Sequence, residues 1–173
     1  ANGNELSVTT PLGIVSSTEY DAEDRATKST NGLGLETEFT FDQTDNPTTT
    51  KNPENEIVTT IYDPVGQAIA GINPLGDRTT TTYDPAGRAV RVTTPLGNVS
   101  TTIYDGADRA IVSVNPLEHR ITTTYDGADR PEAVENAEQE VATTIYDDAG
   151  NAWATVNPLG HRQTNLYDKA DRQ

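Results

Sequence analysis

Carboxylates are the residues of this chain whose spacing invites a chemical reading. Asp21, Asp42, Asp63, Asp84, Asp105, Asp126, Asp147 and Asp168 recur at one fixed interval, and Asp105 is followed three positions later by a second acid, Asp108. Such a pair could contribute to a Ca²⁺ site, because that ion takes several hard oxygen ligands. Neither a Gly-Gly-x-Gly-x-Asp nonapeptide nor an EF-hand loop surrounds it, so turn chemistry is the better account of these acids. His119 and His161 each sit just after a turn and beside an Arg, with no third ligand at metal spacing, and read as solvated turn residues. No Ser has an activating His nearby, and neither a nucleophile elbow nor a phosphate-cradling loop is present. Cysteine is absent, which removes thiolate metal sites, Cys nucleophiles and disulfides. The expectation is a protein that is not an enzyme, with no catalytic, metal or cofactor residues.

The recurring acids belong to a larger unit. Aromatic-Asp pairs stand at Tyr20-Asp21, Phe41-Asp42, Tyr62-Asp63, Tyr83-Asp84, Tyr104-Asp105, Tyr125-Asp126, Tyr146-Asp147 and Tyr167-Asp168, with no insertion or deletion between them. Residues 1–173 therefore read as one tandem array of about eight repeats, each meeting its neighbours in the same way. A unit this short cannot bury a core alone, so stability must come from stacking on neighbours.

Positions of the unit are numbered here from its aromatic residue. Two turn signals recur. The first is Asp-x-x-Gly or Asp-x-x-Asp, with Gly66, Gly87 and Gly150 in three repeats; the second is Asn/Thr-Pro-Leu-Gly, carried by Pro74, Gly76, Pro95, Gly97, Pro116, Pro158 and Gly160. Proline locks its own φ in the range a turn needs and Gly or Asp tolerates a positive φ, which together specify a type I turn followed by a left-handed residue. Runs rich in Val, Thr, Ile and Tyr separate the turns and read as strands. The close recurrence of Pro and Gly excludes helix. The fold class expected is all-β, an antiparallel meander of tandem hairpins with about sixteen strands; a β-solenoid or filament-like stack is the alternative.

A 42-residue period overlies the first. Position 17 reads Ile57, Arg78, Val99, Arg120, Val141, Arg162, and position 11 alternates in the opposite phase. The second turn should place the two opposite one another, as in Ile72/Arg78, Val114/Arg120, Glu135/Val141 and Val156/Arg162. If position 17 also lies beside position 11 of the next unit, Val99/Val114 and Val141/Val156 become apolar neighbours and Arg120/Glu135 an ion pair. The aromatic residue should stack on position 6 across its hairpin, Tyr104 on Arg88 and Tyr125 on Arg109. An odd number of strand residues per unit also requires one bulge, which the sequence does not place.

Composition narrows the partners. Apolar residues make up 33% of the chain and its net charge is −15, with a pI near 4.3. That charge disfavours nucleic acid and anionic lipid, and no apolar run could span a bilayer. The array begins just past a Tyr-Asp position and stops shortly beyond the last, which suggests a segment of a longer array whose neighbouring repeats are its first partners. An acidic, Thr- and Asn-rich β-array points to secretion or the cell surface.

The Tyr-Asp-x-x-Gly/Asp-Arg turn, the Asn-Pro-Leu-Gly turn and the 21-residue spacing together resemble the YD repeats of Rhs-type proteins, and the likeness covers the whole chain. That resemblance implies the wall of a hollow, spiralling β-shell, with an encapsulated C-terminal domain or self-association as the partners it suggests. Asp63-Pro64-Val65-Gly66 and Asp84-Pro85-Ala86-Gly87 are similar to self-cleavage stretches at the end of some Rhs cores, but here they occupy the ordinary repeat turn. Repeats 20–40, 41–61 and 125–145 depart in part, with Ala137-Glu138-Gln139 in place of Pro-Leu-Gly. Adhesion, glycan binding and a Thr-based ice-binding surface remain as other readings.

Overall fold

The computed structural model describes Asn4 and residues 6–167; Asp168 lies outside them. Among the described residues, sixteen strands follow one another in chain order. They are β1 Ser7–Thr9, β2 Val15–Tyr20, β3 Ala26–Thr30, β4 Glu36–Phe41, β5 Pro47–Lys51, β6 Ile57–Tyr62, β7 Ala68–Ile72 and β8 Arg78–Tyr83. Then come β9 Ala89–Thr93, β10 Val99–Tyr104, β11 Ala110–Val114, β12 Arg120–Tyr125, β13 Pro131–Glu135, β14 Val141–Tyr146, β15 Ala152–Val156 and β16 Arg162–Thr164. The expected antiparallel meander of hairpins is what the chain forms. Its residues fall into two compact units, Ala1–Gly87 with Thr93–Gly97, and Arg88–Val92 with Asn98–Gln173.

Both turns of the repeat close in the same way. In the first, the Asp63 N–H donates to the Gln67 carbonyl at 2.9 Å and the Gly66 N–H to the Asp63 carbonyl at 3.0 Å. In the second, Asn73 and Asp77 repeat the pattern at 3.0 Å, with Gly76 donating to Asn73 at 2.9 Å. The last turn residue is left-handed in each, by glycine at Gly66 (φ 86°) and Gly76 (φ 85°), and by Asp at Asp108 (φ 64°) and Asp129 (φ 63°). Asn55, Glu118 and Gln139 hold the same conformation in second turns that lack glycine.

Across the second turn, Ile72 faces Arg78, Val114 faces Arg120, Glu135 faces Val141 and Val156 faces Arg162, as the two alternating rows require. Across the first turn the expected register fails. Thr101, not Val99, is opposite Val114; Thr122, not Arg120, is opposite Glu135; Thr143, not Val141, is opposite Val156. Each of these partners is displaced by two positions: the three-residue loop of the Tyr-Asp turn accounts for one and a bulge beside it for the other. Tyr104 pairs with Ala110 and Ile103 with Val112, which leaves Ile111 as the extra residue. The same step leaves out Ile69 and Trp153 in the other apolar hairpins.

This register exposes a second carrier of the 42-residue period. Ile61 pairs with Ala70, Ile103 with Val112 and Ile145 with Ala154, whereas the intervening hairpins pair Thr40 with Thr49 and Thr124 with Ala133. Ala70, Val112 and Ala154 are the buried hydrophobic residues among those described, at 3%, 5% and 0% exposure. The period therefore records alternately apolar and polar hairpins. Within each unit, among the described residues, strands touch only their neighbours in sequence and no second layer covers the sheet, so cross-strand pairs carry the packing.

Candidate functional site: the Tyr-Asp turns

The side chain of the turn Asp organises each first turn. Asp105 Oδ1 accepts from the Ala107 N–H at 2.9 Å and the Arg109 N–H at 3.0 Å, an Asx turn that needs a short acceptor at that position. Its Oδ2 takes Arg109 Nε at 2.7 Å and Nη2 at 2.6 Å, a two-pronged contact suited to a planar guanidinium. The remaining arm, Arg109 Nη1, reaches Asp129 Oδ1 of the next repeat at 2.6 Å. Arg25 does the same with Asp21 and Asp45, and Arg88 bridges to Asp108 at 2.7 Å. Where Arg stands at position 6 and Asp at position 5 of the next repeat, neighbouring turns are thus tied by an acid-base bridge, three rungs of an edge ladder.

The aromatic residue completes the arrangement. Arg25 lies 4.8 Å over the Phe41 ring, Arg88 4.8 Å over Tyr104, Arg109 4.7 Å over Tyr125 and Arg130 4.3 Å over Tyr146. The stacking expected at Tyr104 and Tyr125 is present and extends to Phe41 and Tyr146. Most tyrosine hydroxyls donate to the carbonyl of position 7 across their hairpin: Tyr83 to Ala68 at 2.9 Å, Tyr104 to Ala89 at 3.1 Å, Tyr125 to Ala110 at 2.9 Å and Tyr146 to Pro131 at 2.9 Å. The phenol anchors the hairpin while its ring seats the guanidinium.

Electrostatics follow from these contacts. The Arg25, Arg109 and Arg130 side chains hold Asp21, Asp105 and Asp126 below the ordinary carboxylate range. Where Asn46 replaces the Arg, its side-chain amide lowers Asp42 to about 2, with help from its own N–H and from Thr44. Asp147 is lowered chiefly by the Asn151 N–H. Conversely, Asp21 raises the pKa of Arg25 and Asp105 that of Arg109.

The second turn inverts the chemistry. Its Asn uses Oδ1 for the same two backbone N–H groups, as Asn73 does for Leu75 and Asp77 at 3.0 and 2.9 Å. The free amide then donates to an acid at position 16: Asn73 to Asp77 at 3.0 Å, Asn52 to Glu56 and Asn136 to Glu140 at 2.8 Å. His119 and His161 occupy that position and their N–H groups enter the Asx turn, at 3.1 and 2.9 Å.

The signature residues are therefore brought together hairpin by hairpin, and no group of three or more His, Cys, Asp or Glu converges on a metal-sized centre among the described residues. Asp63 and Asp84 lie in ordinary turns, Asp63 accepting from Val65 and Gln67 at 3.0 and 2.9 Å and Asp84 from Ala86 at 2.9 Å. Two contacts escaped sequence reasoning: the bridge from Arg to the following turn's Asp, and the Asn-acid pair. Their signals are present in the chain as Arg and Asp set one position short of a full repeat apart, such as Arg109/Asp129, and as Asn-x-x-x-Asp/Glu.

Similar structures include the complex TcdB2-TccC3-TEV, at TM-score 0.35 and 13% identity over 90% of this chain and 12% of that one. TcdB2-TccC3 without its hypervariable C-terminal region gives 0.34 and 13%, with the same coverage, and the Photorhabdus luminescens Tc holotoxin pore gives 0.31 and 11%, over 87% of this chain and 14% of that one. This chain thus spans a small part of the chains it resembles. No curated protein matches. The RHS Repeat family profile matches residues 1–34, 20–57 and 62–99, which together cover more than half of the sequence, and this chain belongs to that family.

Proposed function

We propose that residues 1–173 are one continuous stretch of YD repeats that serves as wall in a larger, hollow β-shell, secreted or displayed at a cell surface, and that the stretch itself performs no catalysis. The signature aromatic, Asp, Gly and Pro residues are structural in this reading. The observation that carries it is the edge ladder, in which the recurring Arg, Asp and Tyr are engaged in closing turns or tying one repeat to the next. A cross-repeat tie such as Arg109 to Asp129 serves an extended wall and offers no free group to a substrate. Glycan binding is disfavoured because a guanidinium covers the ring face on which a sugar would stack. A Thr ladder for ice needs like strands about 4.8 Å apart, and the meander spaces Thr-rich strands at about twice that.

Electron microscopy of the longest natural chain carrying these repeats tests the wall reading, the expected result being a closed particle with an internal cavity. An open rod refutes it. Cleavage of the purified segment at one specific bond, abolished by Asp63→Asn or Asp84→Asn, refutes the non-catalytic assignment.

A further inference from the structure

Away from the Tyr-Asp turns, whose paired Arg and Asp side chains sit over the aromatic rings, the two faces of the sheet differ in charge. Ser113 pairs with Thr102 on one side and Ile121 on the other, and Val134 pairs with Thr123 and Ala142, so these residues share a face. They occupy positions 10, 18 and 20. From Val8 to Gln163 no Asp, Glu, Lys or Arg stands at any of these positions in either unit; Thr, Ser and aliphatic residues fill most of them. Since 23% of the chain is charged, several charges would be expected there by composition alone. Charged strand residues with a cross-strand partner lie on the opposite face instead, where Arg120 and Glu135 are set opposite Val114 and Val141.

Solvent alone gives no reason to exclude charge from one face of a layer that is open on both. Burial does, because an unpaired charge is costly to desolvate, whereas threonine and serine hydroxyls can find partners. Ile121 and Val134 are exposed at 44% and 40% on this face and would gain from being covered. We propose that the uncharged face docks on the same face of a second copy of this chain. Two chains of net charge −15 repel across most approaches, and this face is where they meet without opposing like charges. Seven strands, β10 to β16, spaced about 4.8 Å apart and up to roughly 17 Å long, offer up to about 570 Å² per copy, or about 1,100 Å² in total, above the floor of about 1,000 Å² for a biological interface. Aligned packing of two sheets would form the missing layer. The inference stands on this chain's own face and does not depend on the wall reading.

Sedimentation of the chain across a wide concentration range tests it. A concentration-dependent dimer is expected, and Val134→Glu should raise its dissociation constant tenfold or more while Val134→Thr leaves it nearly unchanged. Because the glutamate could disturb folding, circular dichroism accompanies it and a second readout is independent of it. The native chain has no cysteine, so Ser113→Cys with a short bis-maleimide should link two copies and Arg120→Cys, on the opposite face, should not. A chain that stays monomeric at every concentration overturns the proposal, as does a dimer that tolerates Val134→Glu or links through Arg120→Cys. Binding of a soluble neutral dextran to a monomer, lost in Val134→Glu, also overturns it and assigns the face to polysaccharide.

Discussion

Replacing Gly76 by alanine isolates the energetic cost of the turn backbone. Gly76 has φ of +85°, and an added Cβ would meet nothing within 4 Å, so the substitution introduces strain without a clash. A left-handed L-residue costs about 1–2 kcal/mol. Restricting the unfolded chain returns ~0.4–1 kcal/mol, which leaves a net loss centred on about 0.8 kcal/mol and no larger than about 1.6 kcal/mol. Gly106 supplies the control: it is equally open but is not left-handed, so Gly106→Ala should carry only the favourable unfolded-state effect, ~0.4–1 kcal/mol of stabilisation. Asparagine at Gly76 should lie between glycine and alanine, since Asn55 holds φ of 66° at the equivalent place. Urea denaturation followed by circular dichroism should give an unchanged m value and midpoints in the order Gly106→Ala, wild type, Gly76→Asn, Gly76→Ala. If Gly76→Ala matches or exceeds the wild type, or the two alanine variants shift together, the assignment of turn strain is wrong.

Tyr125→Phe should remove the hydroxyl bond to Ala110 and cost about 0.5–1.5 kcal/mol in the same assay, with the Arg109 stack kept, as Phe41 keeps Arg25. Val112→Ala, at a buried site paired with Ile103, should cost about 1–2 kcal/mol, whereas Thr155→Ala, at an exposed site, should cost less. The turn carboxylates are depressed in the folded chain, so the stability they contribute is present above the unfolded value near 4 and is lost as pH falls toward about 2, the folded value of Asp42. Acid titration by circular dichroism should show that loss. In Asp105→Asn the acid dependence should weaken, because an amide can still make the Asx turn, as Asn73 does.

What the sequence revealed was local. Pro and Gly constrain φ close to themselves along the chain, and an Asp or Asn can only reach the N–H groups just ahead of it, so both turns, sixteen strands and the Tyr-Arg stack could be read without coordinates. The bulge could not. Ile69, Ile111 and Trp153 are ordinary strand residues by type, and nothing in their chemistry marks them as the residue left out of register. That step and the three-residue loop of the turn each moved position 11 of the unit one place along its partner, which is why the Arg120/Glu135 pair fails and the Ile103/Val112 pair went unseen. The ladder from Arg109 to Asp129 needed side-chain reach between hairpins, which no periodicity of strands encodes.

The alternation of apolar and polar hairpins has a bearing on how such a chain can change its length. Removal of two consecutive repeats joins hairpins of the original order, so that an Ile103/Val112 type again follows a Thr124/Ala133 type and every cross-strand neighbour is of the former kind. Removal of a single repeat sets two hairpins of one kind side by side and breaks the phase of every row downstream. Gains and losses by unequal recombination should therefore be tolerated in pairs, and repeat number in related arrays should change by two more readily than by one.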